Sequence, residues 1–143
     1  MTTLIDRLGT PLRHPLRLLV AVALLVAADA HMPVIAEHLH EAPYIGALFL
    51  ALTLVCLAHV VPLTLHDSPA LYVVTALVTG LAFLAYVLSR SVGLPQITDD
   101  IGDWLDPLGV TSIVSEGVGF LTAMVVLIWP QQARVAAARF AFG

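Results

Sequence analysis

Lysine is absent from this chain, and charge of either sign is scarce. Six arginines carry all the fixed positive charge, and charged residues make up 11% of the sequence, against roughly 25% in ordinary soluble domains. An arginine-only basic set fits a GC-rich bacterial genome. The net charge is −4 and no basic run or stripe occurs, which argues against a nucleic-acid partner. A single cysteine, Cys56, rules out an intramolecular disulfide. It sits in an apolar run, where it is expected to behave as an inert small hydrophobe. No nucleophile triad, phosphate loop or Rossmann fingerprint is present, and Ser115-Glu116-Gly117 does not make a nucleophile elbow.

What the chain has in excess is apolar surface. Hydrophobic residues reach 59% and the mean hydropathy is +0.96. A soluble chain of 143 residues could not hide that much apolar surface, whereas a chain bathed in a lipid bilayer need not hide it. The pattern predicts an all-α integral membrane bundle of about four transmembrane helices in one domain over residues 1–143. The expected spans are 16–36, 43–65, 68–92 and 108–129, each near the roughly 20 residues a crossing needs. Pro15, Pro43, Pro69 and Pro107 fall at or just before helix starts, where a missing N–H costs little. Pro130 should stop the last span, and Pro33 and Pro62 should kink or end theirs.

The positive-inside rule places both termini in the cytoplasm of a bacterial plasma membrane. That side would hold Arg7, Arg13, Arg17, Arg134 and Arg139 against Asp6 and Asp67. The outer side would hold Arg90 with Glu37, Glu41, Asp99, Asp100, Asp103 and Asp106. Asp29-Ala30-His31-Met32-Pro33 makes a poor cleavage site, so the first span is expected to be retained rather than removed as a signal. In the long outer connection Ile97, Ile101, Trp104, Leu105 and Leu108 repeat at helical spacing, which predicts a short interfacial helix over 97–108.

The densest polar cluster joins Asp29, His31, Met32, Glu37, His38, His40 and Glu41 at the outer end of the first span. Imidazole and carboxylate at i, i+3, i+4 and i+7 spacing can ligate zinc or copper, and Met32 suits copper(I). A solvated loop would have the same composition. Asp29 and Glu116 lie within spans, where an acid is expected to point into the bundle. They could form a structural clamp with Arg90, or, with His31, the inner wall of a metal site. His59 could cross-link helices or carry protons, and haem is not expected because only His14 could face it as a second axial ligand. Ser115, Gly119 and Ala123 form a small-residue seam that suits either internal packing or a homo-oligomer.

Three segments, residues 38–46, 86–95 and 104–109, carry the sequences HLHEAPYIG, YVLSRSVGLP and WLDPLG. In these the chain resembles a group of small, uncharacterised four-helix bacterial membrane proteins. The resemblance implies the four-helix layout and brings no activity with it. The expected function is therefore capture of a transition metal ion at an outer-face site of Asp29, His31, Glu37, His38, His40, Glu41 and Glu116. The rival reading is a non-catalytic subunit or assembly factor of a larger membrane complex. A membrane enzyme acting on a lipid or quinone ranks third, since no catalytic set is evident.

Overall fold

The computed structural model describes residues 10–128. Asp6, Arg7, Trp129, Pro130, Arg134 and Arg139 lie outside the described residues, so the expectations that rest on them are not addressed by the fold.

The described chain is a bundle of helices. Helix α1 (Arg17–His31) passes through a 3-10 turn (Met32–Val34) into α2 (Ile35–Glu41), then come α3 (Pro43–Leu65), α4 (Pro69–Ser91) and α5 (Pro107–Ile128). The run Arg17–Glu41 and helices α3, α4 and α5 are four segments long and apolar enough to cross a membrane. The chain is thus a multi-pass, all-α membrane protein.

Proline writes most of the boundaries. Pro43, Pro69 and Pro107 are the first residues of α3, α4 and α5. Asp106 caps α5 by accepting the N–H of Gly109 at 2.6 Å. Pro33 removes one backbone donor, and the helix tightens to a 3-10 turn there before resuming. At Ala42 the backbone turns out of helix (φ −141°, ψ 86°) and α2 folds back onto α3. Gly46 permits this approach, because a Cβ there would lie 2.5 Å from the Leu39 backbone nitrogen.

The first span packs against α3 and α5, and α5 packs in turn against α4. Helices α3 and α4, joined by residues 66–68, pack less closely on each other than on α1 and α5 respectively. In lipid such contacts are held by close packing rather than by exclusion of water. Val20, Leu24, Ala27 and Ala28 of α1 meet Cys56, Leu63, Tyr72, Ala123 and Val126 in one buried cluster. The small-residue seam of α5 is internal, since Ser115 and Ala123 are buried and a Cβ on Gly119 would lie 3.1 Å from Thr79.

The interfacial helix expected over 97–108 is not formed; helix begins only at Pro107. Gly93, Gln96 and Gly102 take φ of 80°, 69° and 85°, which breaks any helix there. Leu94 and Ile97 pair in a short antiparallel bridge instead. Ile97 turns inward against Ala42 and Ile45, so the segment caps the end of α3. Ile101, Trp104 and Leu105 stay exposed.

Candidate functional site

Buried polar side chains of α1 and α5 meet inside the bundle. Glu116 is 1% exposed, nine residues into α5 and twelve short of its end. At about 1.5 Å per residue it lies roughly 13 Å into the helix, near its middle, as the sequence position suggests. One turn earlier on the same face, the Ser112 hydroxyl donates to Glu116 Oε1 at 2.9 Å. From α1, His31 Nε2 lies 3.5 Å from Glu116 Oε1 and 3.3 Å from Ser112 Oγ. The other carboxylate oxygen, Oε2, is buried without a hydrogen-bond partner, as is Thr53 Oγ1 of α3.

The histidine is oriented by its own helix. Its Nδ1–H donates to the Ala27 carbonyl at 2.7 Å, one turn back. That bond commits Nδ1 as the donor and leaves Nε2 to face Glu116 and Ser112. His31 also packs on the Phe49 ring at 4.9 Å between centroids. His38, seven residues further along, packs on the same ring at 5.0 Å, and its Nδ1–H is held by Val34.

The expected ligands therefore part company. His31 and Glu116 come together, and His38 shares a face with His31, but Phe49 is their common neighbour. Glu37, His40 and Glu41 are exposed on α2. Asp29 is exposed as well and has no hydrogen-bond or ion-pair partner among the described residues. Among the described residues no three His, Cys, Asp or Glu side chains gather as a metal site would require.

The expected clamp of Asp29, Arg90 and Glu116 does not form. Arg90 Nη1 pairs with Asp100 Oδ1 at 2.5 Å, and its guanidinium lies over the Tyr86 ring. Ser89 donates to the same carboxylate at 3.1 Å. The capping segment brings Asp100 to the end of α4, which leaves Arg90 no reason to bend inward. His59, the other intramembrane histidine, donates its Nε2–H to the Leu71 carbonyl at 2.9 Å and so cross-links α3 and α4.

Three residues were missed in the sequence. Ser112 had a readable signal, its i, i+4 spacing to Glu116. Phe49 had none, as one aromatic in an apolar run. Asp67 reads in the sequence only as a charge in the turn 66–69, yet it is fully buried and organises the segment that precedes α1. Its carboxylate accepts the N–H groups of Arg13 and His14 and the hydroxyl of Tyr72, and lies 3.6 Å from Arg17. The two backbone partners, Arg13 and His14, lie more than fifty residues away, which local spacing cannot show. No protein-family model, no curated protein and no solved structure matches the chain.

Proposed function

We propose that this is a multi-pass protein of a bacterial plasma membrane, with both termini cytoplasmic, whose working centre is a proton-binding site formed by His31, Ser112 and Glu116. The observation that carries the reading is a carboxylate 1% exposed, in mid-span, facing a single imidazole nitrogen at 3.5 Å. Intramembrane ionisable groups are costly and are commonly functional.

The chemistry follows from the donors and acceptors. His31 Nδ1–H is committed to Ala27, so the pair holds its exchangeable proton on Nε2 or on the carboxyl group. The two arrangements, imidazolium with carboxylate and imidazole with carboxylic acid, have the same net charge. A proton can therefore pass between them without leaving net charge in the bilayer. Ser112 donates to the shared oxygen in either arrangement. Entry would come from the outer end, where His38 is half-buried, and Phe49 stands beside both histidines as the barrier.

The transition-metal reading retains only His31 and Glu116 as adjoining donors, and the proton needs no more than these two. The arginine asymmetry supports the orientation. The start of the first span and the end of α5 share one buried cluster, which holds both Val20 and Val126.

The test is infrared difference spectroscopy on the protein in lipid, stepped in pH. A carboxylic-acid carbonyl band should appear and vanish with pH, be missing in Glu116→Gln and move in Ser112→Ala. A spectrum unchanged by Glu116→Gln would overturn the proposal.

A further inference from the structure

Asp29 occupies a position that the proton centre does not use. It is two residues from His31, about 200° around the helix, so one faces out while the other faces in. It lies twelve residues from each end of the first span, Arg17–Glu41, and is exposed among apolar neighbours. Leu18, Val22, Leu25, Asp29 and Met32 form one exposed stripe. Their spacings of four, three, four and three residues are those of a heptad seam, the pattern by which helices pack at about 20° in bundles and in membranes. Among the described residues no helix covers it.

Lipid explains the leucines and valines and leaves the acid unexplained. We propose that this seam docks a transmembrane helix of a different membrane protein, and that Asp29 pairs there with a basic side chain at mid-membrane depth.

Charge decides against a second copy of the chain. Among the described residues, Arg13 and Arg17 lie at one end, beside Asp67, and Arg90 at the other, bound to Asp100. His31 is the one basic group at the depth of Asp29, and it is buried against Glu116. A two-fold pairing across the seam would oppose acid to acid. A lone polar group in an apolar seam also fixes register and partner choice, because only a complementary helix satisfies it.

The test uses designed probes in lipid vesicles. Three polyleucine transmembrane peptides carry lysine, leucine or glutamate at the central position, and association with the labelled full-length protein is read by energy transfer. The lysine peptide should associate about fivefold more than the leucine peptide, as the roughly 1 kcal/mol of a polar contact between helices gives. The glutamate peptide should show no gain. Asp29→Leu should abolish the preference while melting no lower than the parent, since it removes an unpaired acid from lipid. A lysine preference that is absent, or that persists in Asp29→Leu, overturns the proposal. Energy transfer between copies of the protein that is lost in Asp29→Leu overturns it in favour of self-association.

Discussion

Asp29 and His31, two residues apart on one helix, face opposite sides: His31 is buried against Glu116 and Asp29 is exposed along the outer face of α1. One turn of α1 thus carries an internal acid–base contact on one side and an unpartnered acid on the other. Asp29 and Glu116 lie at similar positions along their spans and face different surroundings.

Ser112 should matter through Glu116. Ser112→Ala removes the hydroxyl that donates to the carboxylate and leaves a buried acceptor short of a partner, at a cost of about 1–3 kcal/mol. Thermal melting in detergent should show it. In a double-mutant cycle with Glu116→Gln the losses should be clearly non-additive.

Asp67 should hold the segment before α1 in place. Asp67→Ala deprives two backbone N–H groups and the Tyr72 hydroxyl of their acceptor, about 3 kcal/mol at roughly 1 kcal/mol each. Trypsin should then cut after Arg13 and Arg17 far faster than in the parent. Equal cleavage would show that residues 12–17 are anchored by something else.

Arg90 belongs to the cap formed by residues 92–106. Arg90→Ala and Asp100→Ala should each loosen residues 92–106, with losses that overlap when combined. Arg90→Ala and Glu116→Gln should be additive. Hydrogen exchange across the segment reads the first and melting the second.

Gly46 should be intolerant of any side chain. Gly46→Ala sets a methyl group 2.5 Å from the Leu39 backbone, so α2 must move off α3. Overpacking of this kind costs about 1–3 kcal/mol. The shift should also lift His38 from Phe49, visible as a change in the His38 ring resonances.

The four helices were legible because lipid imposes one simple demand, a long apolar run, and prolines marked three of the starts. The outer segment misled because Ile97, Ile101 and Leu105 recur at helical spacing. Periodicity cannot weigh positive φ at Gly93, Gln96 and Gly102 against it. Sequence position places Asp29 and Glu116 within span-length helices but does not assign their faces. Helical geometry offered the missing step, since residues 29 and 31 cannot both face the core. Arg90 was given an inward partner because the fold-back that delivers Asp100 to it depends on the cap and not on any local pattern.

The central claim is that His31 and Glu116 bind a proton as one unit. Nitrogen-15 NMR of histidine-labelled protein in lipid tests it most directly, by following both His31 ring nitrogens through a pH series in the parent and in Glu116→Gln. Nδ1 should stay protonated throughout, held by Ala27, while Nε2 gains its proton at a pH that Glu116→Gln clearly displaces. A His31 titration identical in the two proteins would contradict the account.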